Sequence, residues 1–387
     1  MLASCRRVVL AVFVLWSCGG DDGHFPPVGG TDAARVADGP PPDADPFAHP
    51  RTSVDQPDDE PGAYQVHLVY VVPADRAGVA RLDEDGTLRR AVAAADGWLA
   101  DRTGGPRLRF DRAGGVVDVT HVVLAEDEAT FAAGVGVGGP RSIRARLEAT
   151  LASTLADPTK LYLVYYDGLA LGTCGESPRP GRFPVQYVGG MWSTTMLASP
   201  AAAGATTATV LDPVALGLPP PPFTARLGAE VVTVTTVAGT SVTLAAPLAA
   251  AHPALELLAP DGRPGDCRAN PWSADGVAWT YAVFVGLHEV MHALGIVADA
   301  APDHAPPPTA AGHLAATSPG GLDDLMYQGP AGGRCGDPAP TPAQVRCQLD
   351  PGRRNYHGTP AGSGLVDLAR SVFLDPTPVG AVPPPGW

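Results

Sequence analysis

The longest run of apolar positions lies late in the chain, where nearly every residue from Val277 to Leu294 is apolar. A helix that is apolar on most sides must be buried. Asp275 or Ser273 stands where a cap would start it, and Gly295 stands where a C′ glycine would end it. Earlier in the chain the pattern changes several times. Tyr64 to Val72 is β-branched and aromatic and reads as a buried strand ended by Pro73. Leu88, Val92, Ala95 and Leu99 recur at helical spacing after a candidate cap, Thr87, and Gly104-Gly105 stops that helix. Strands are expected at Arg107 to Asp111, at Val116 to Leu124 and at Leu161 to Tyr166, with an edge strand over Val185 to Trp192. A second helix, capped by Ser142, carries Ile143, Leu147 and Leu151. His67 and His121 fall inside strand patterns and read as sheet histidines. The order implies an α+β fold, a twisted mixed sheet with helices packed on it.

Between 194 and 258 the composition shifts to Ala, Thr, Val and Pro, and Arg226 is the only basic residue. Short β-rich runs at Thr206 to Val210, Phe223 to Leu227, Glu230 to Val237 and Val242 to Leu244 are separated by Gly-containing turns. This predicts a small all-β module inserted between two parts of one domain, 63–193 and 259–387. It is similar to short β-modules of phage-tail and surface proteins.

The N-terminus adds a compartment. Arg6 and Arg7 precede the apolar run Val8 to Trp16, which is too short to span a bilayer. With Cys18 at the break, residues 1–18 resemble a bacterial lipoprotein signal whose Cys takes the lipid. The expected location is the cell envelope, at the outer membrane or cell surface, or outside after release. From Gly19 to Gly62 there are ten acidic residues, two arginines and nine prolines, with almost no large apolar side chain. Such a stretch cannot offset its ordering entropy and reads as a disordered tether over 19–62. The tether carries much of the formal net charge of −14, which argues against a nucleic-acid partner.

Six cysteines are present. Cys5 leaves with the signal and Cys18 is lipidated, so Cys174, Cys267, Cys335 and Cys347 remain. An even set in an exported chain favours two disulfides. Of the three possible pairings, Cys335–Cys347 closes a short Gly/Pro loop, and Cys174–Cys267 would clamp the base of the insertion.

Within the apolar helix lies His288-Glu289-Val290-Met291-His292. His288 and His292 are one turn apart on one face, so their imidazoles can share a metal ion. Glu289 sits about 100° further round, where a base can reach the metal's water without ligating the metal. A catalytic zinc site wants a third protein ligand. No Glu follows Glu289, which removes zincins that use a later Glu. Gly295 ends the helix, and Met326, the only Met after Met291, stands in Asp323-Asp324-Leu325-Met326-Tyr327.

On His288, Glu289, His292, Gly295 and Met326 the chain resembles a metzincin-like zinc metallopeptidase. It also looks like secreted bacterial zincin-like proteins with a lengthened spacer between the Gly and the third ligand. The C-terminal element Cys347-Gln348-Leu349-Asp350, leading to Asn355-Tyr356-His357, belongs to that likeness. Ala298 occupies the usual place of the third His. His304 ranks first as its replacement, then His313, then Asp299. The resemblance implies a zincin-like fold, a Zn2+ cofactor, a Met-turn at Met326 and a peptide or protein substrate. Glu289 is the general base, and Tyr356 is a candidate to stabilise the oxyanion. The expected protein is a monomer tied to the membrane by its N-terminal lipid. Two other readings remain: a non-catalytic surface lipoprotein that binds partners through its β-insertion, and a zinc hydrolase of non-peptide amides or esters.

Overall fold

The structure, a computed structural model, describes residues 45–387 apart from 133–141, 172, 190, 193–194, 211–220, 229, 255, 261–266, 268–270, 306–311 and 328–346. The signal, Cys18 and the first part of the tether lie outside the described residues. Among those described, no helix is long and apolar enough to cross a membrane.

Five strands make the central sheet: β1 (Gln65–Val72), β2 (Val119–Val123), β3 (Lys160–Tyr166), β4 (Gly175–Glu176) and β5 (Val185–Tyr187). Their order is β2-β1-β3-β5-β4, parallel throughout except for β4, which runs antiparallel to β5. Among the described residues four α-helices, α1 (Thr87–Thr103), α2 (Glu128–Ala132), α3 (Ile143–Leu151) and α4 (Tyr281–Ala293), accompany it. The whole is α+β.

Strand alternation divides the core into two layers. Val66, Leu68, Tyr70 and Val72 pack with Leu88, Val92 and Leu99 of α1 and with Leu287, Val290 and Met291 of α4. Val69 and Val71 face the other way, onto Phe131 of α2 and Ile143, Leu147 and Leu151 of α3. A period of two on strands buried on both faces explains why β1 and β3 read as unbroken apolar runs. Trp98 of α1 stacks on Trp279, just before α4, with ring centroids 4.5 Å apart.

Several local expectations need correction. Gly86, at φ 80°, is the N-cap of α1 in place of Thr87. The run at Arg107 to Asp111 shortens to a two-residue strand, Arg107–Leu108, which pairs with Leu374–Asp375 near the C-terminus, and it meets the main sheet only through a single bridge of Phe110 to Val66 of β1. Val185 to Trp192 is not an edge strand: β5 lies inside, and the edge is β4, which is too short to give a strand pattern. Residues 45 to 62 do not belong to a free tether. Thr52 bridges Thr120 beside β2, Arg51 pairs with Asp83 at 2.7 Å, and Asp55 and Asp58 reach the Lys160 ammonium at 2.8 and 2.6 Å. Composition missed this because the anchors are mostly ion pairs and backbone bonds, with Phe47 a lone apolar side chain packed beside Gly86 and Gly276.

The region between Thr195 and Pro260 has a core of its own. Its strands are β6 (Thr195–Met196), β7 (Thr207–Thr209), β8 (Phe223–Leu227), β9 (Glu230–Ala238), β10 (Ser241–Leu244) and β11 (Leu257–Pro260). They form one antiparallel sheet in the order β6-β11-β8-β9-β10-β7. A bridge between Leu197 and Val210 joins its two ends, so the sheet closes on itself and leaves no long free edge. Leu197, Val210, Leu227, Val234, Val242 and Leu258 fill the interior.

One buried acid gives a pH prediction. Asp96 on α1 is 7% exposed and its Oδ1 has no hydrogen-bond partner. Burial pushes its pKa up to about 7, against the pull of Arg107 and Arg112. An acid whose folded pKa is raised binds its proton more tightly when folded. Stability therefore falls as pH rises from about 4 towards 7. Asp96→Asn should stabilise the fold at pH 8 by about 1–3 kcal/mol, read as a higher Tm, with the gain gone at pH 4. An equal Tm difference at both pH values would show that burial of the charge is not the cause.

Candidate metal centre

The central helix starts later than its apolar pattern suggests. Asp275 Oδ1 accepts from the amides of Val277 and Ala278, both at 2.8 Å, and so closes a turn before the helix. Val277 is 78% exposed. Thr280 is the true N-cap, its Oγ1 accepting from Val283 N. From there all of α4 except Tyr281 and Phe284 is buried. The helix ends in a Schellman turn: Gly295 N donates to His292 O at 2.8 Å and Ile296 N to Met291 O at 3.3 Å. Gly295 takes φ 76°, a left-handed value that a side chain would strain.

Beyond the turn the chain goes out and returns as a short hairpin. Ala315 N donates to Asp303 O at 2.9 Å and Ala305 N to His313 O at 2.8 Å. Leu314 N then donates to Met326 O at 2.9 Å, which ties the returning arm to the segment at 324–327. This places His313 beside the helix. The Nε2 atoms of His288, His292 and His313 converge, with separations of 3.1, 3.1 and 3.0 Å. The three imidazoles form a group able to hold a metal ion.

Of the three third-ligand candidates, His313, ranked second on sequence, is the one whose side chain meets His288 and His292. His304 lies in the outgoing arm, bridged to Leu314, and its Nε2 sits 3.3 Å from Asp299 Oδ1. Asp299 has an 87% exposed side chain and approaches Arg179 at 3.9 Å, so neither residue joins the cluster. In an antiparallel pair, neighbours point to opposite sides, so the register that brings His313 in turns the residue opposite Leu314 away.

Outer partners orient the cluster. His288 Nδ1 donates to Leu325 O at 2.8 Å, which leaves its Nε2 lone pair for the cluster. Met326 is fully buried next to that carbonyl. Its amide donates to Asp324 Oδ1 at 2.8 Å. Burial pushes Asp324 up to about 7. Tyr356 donates to the same Oδ1 at 2.8 Å and accepts from Asp350 N at 3.0 Å. Tyr356 is fully buried, and both roles of its hydroxyl are taken. It braces the Met326 turn and is not free to meet an oxyanion, which corrects that expectation.

Burial holds all three imidazoles neutral. It lowers His288 to about 4 and His313 to about 2, and takes His292 well below its usual value. Glu289 is 6% exposed and its Oε2 has no hydrogen-bond partner. Burial, with Glu176 nearby, pushes its carboxyl well above the usual range. Three neutral imidazoles whose Nε2 atoms converge are a donor set that could hold a metal ion, and the nearby Arg179 guanidinium adds to the pressure that keeps His292 and His313 unprotonated.

Sequence reasoning missed Gly175. A Cβ there would lie 2.2 Å from Glu289 Oε1, so β4 carries a glycine where the helix carboxylate presses against it. The neighbouring Cys174 was the available signal. It is disulfide-bonded to Cys267, with Cα atoms 5.5 Å apart. Cys347 is also in a disulfide, while its expected partner Cys335 lies outside the described residues. A second group, Asp55, His67, Asp111 and Asp118, lies within ligand distance of itself, but the Lys160 ammonium contacts Asp111 at 2.8 Å as well as Asp55 and Asp58. His67 bonds Asp111 at 2.6 Å and Thr120 at 2.8 Å, as a satisfied sheet histidine does.

No protein family and no curated protein matches the chain. Among solved structures it is similar to the Gp54 tailspike of Acinetobacter baumannii bacteriophage AP22, in complex with A. baumannii capsular saccharide. That likeness has 13% identity and a TM-score of 0.15, over 31% of this chain and 24% of the tailspike. The chain thus spans about a quarter of the length of the tailspike it matches.

Proposed function

We propose that this chain is an exported, zinc-dependent metallopeptidase of metzincin-like type, tethered to the cell envelope through lipid on Cys18. The observation that carries the proposal is the meeting of the three Nε2 atoms within 3.1 Å of one another, two of them from the helix that also carries Glu289 and the third from the arm that returns beside it. His288, His292 and His313 would hold the ion. Three imidazole ligands suit zinc, which in a catalytic site keeps a fourth position for water. A bound zinc ion supplies a Lewis acid for the scissile carbonyl and makes water acidic near neutral pH. Glu289 takes the proton from the attacking water and delivers it to the leaving amine. The Leu325 carbonyl holds His288 in the tautomer that can ligate.

The purified chain should contain about one zinc per molecule. It should cleave casein or gelatin, lose that activity to a chelator and regain it with zinc. A zinc-free chain, or cleavage indifferent to the chelator, would overturn the proposal. The burial of the three histidines, at 4 to 7% exposure, favours a second reading. In it the metal serves stability in a partner-binding lipoprotein, and zinc present without cleavage of peptides, amides or esters would carry that reading instead.

A further inference from the structure

One side of Glu289 is set by a short element, held by few backbone bonds and by the Glu176 carboxylate, which accepts from Tyr187 Oη at 3.0 Å. Strand β4 is two residues long and makes two pairs with β5, Gly175 with Gln186 and Glu176 with Val185. It is the edge of the sheet. A strand pairing this short is marginal by itself. Yet Gly175 lies so close to Glu289 that a Cβ would meet Oε1, Cδ and Cγ at 2.2, 2.7 and 2.7 Å. The backbone of β4 is thus one wall of the slot that holds the carboxylate.

The residue before Gly175 is Cys174, bonded to the 2% exposed Cys267 across 93 positions of sequence. Cys174 O also accepts from Tyr187 N at 2.9 Å, and Thr173 Oγ1 donates to Gly175 O at 2.9 Å. The covalent bond therefore enters the chain one residue from the wall of the slot.

We infer that the Cys174–Cys267 disulfide is a positioning element for Glu289: it fixes β4 against the side of the carboxylate, beyond fastening the base of the inserted barrel. This rests on the peptidase reading for its effect on rate, but not for its effect on the strand. Without the bond, β4 keeps only its two pairs with β5, the short backbone bonds beside them and the Glu176–Tyr187 contact, and Glu289 gains room to leave its place against Gly175. Misplacement of a reacting group by about 1 Å costs on the order of 100-fold in rate.

The test compares the full chain with the double variant Cys174→Ser/Cys267→Ser and, separately, with Gly175→Ala. Zinc content, kcat and KM on a peptide, and amide hydrogen exchange over residues 173–187 are measured for each. In the double variant, zinc content should equal that of the wild type, kcat should fall roughly 10- to 100-fold and KM should stay close to the wild-type value. Exchange should quicken at 174–176 and not elsewhere in the sheet. Gly175→Ala should lower kcat with the disulfide intact, because it crowds the same slot. An unchanged kcat with zinc retained would overturn the inference. So would a joint loss of zinc and activity, since the bond would then hold the fold and not the base. If the wild type cleaves nothing, the peptidase reading fails by itself. Unchanged exchange at 174–176 in the double variant would then overturn the inference independently.

Discussion

His313→Ala is expected to abolish tight zinc binding, while His304→Ala leaves it intact. The two residues are nine positions apart in one loop and were both candidates for the same role. Their environments separate them. His313 Nε2 lies 3.1 Å from His288 Nε2 and 3.0 Å from His292 Nε2, whereas His304 Nε2 faces the exposed Asp299 carboxylate. Removing a partner that only orients a ligand costs roughly 10- to 100-fold in metal affinity, and removing one of three ligands costs more than that. A competition titration against a chromogenic chelator reads the difference directly. Zinc affinity lost in His304→Ala and kept in His313→Ala would restore the first ranking and break the proposed site. Both variants should keep the fold, because each imidazole sits on a hairpin held by backbone bonds to Asp303, Ala305 and Met326.

The helix and its two imidazoles were legible in the sequence. A local five-residue pattern on an apolar helix needs only helical geometry to put two imidazoles on one face. Gly295 was legible for the same reason, since a left-handed stop has a residue signature. The third imidazole was harder to read. Its arrival depends on the register of the pairing between 303–305 and 313–315, and the Pro-rich run Pro306-Pro307-Pro308 with Gly312 marks a loop without fixing that register. The Leu325 carbonyl that orients His288 is a backbone atom and has no sequence signal at all. Tyr356 was misplaced because a buried hydroxyl and a catalytic one look alike until their partners are known. The inserted barrel was legible strand by strand, from Phe223 to Leu244, because each strand alternates and each turn carries a glycine. Its closure through a single bridge between Leu197 and Val210 involves no strand long enough to show a pattern, so it could not be read locally.

Glu289→Gln should keep the zinc and lose the reaction. Gln has nearly the shape of Glu and fits the slot against Gly175 without a new clash, so the three imidazoles keep their places. What it lacks is a site that can take a proton. General acid–base groups contribute roughly 100- to 10,000-fold to rate, and peptide hydrolysis should fall by that factor at unchanged zinc content. The substitution also removes a buried carboxyl whose Oε2 has no hydrogen-bond partner. A neutral amide costs less to bury there than a carboxylate, so the metal-free variant should be at least as stable as the metal-free wild type. These two effects point in opposite directions, towards less activity and no less stability. A variant damaged only in its fold would lose both. The pairing of a thermal melt of the metal-free protein with a rate measurement on the zinc-loaded protein therefore tests the role of Glu289 as base. Full hydrolysis by the zinc-loaded Gln variant would refute that role, whatever the melt shows.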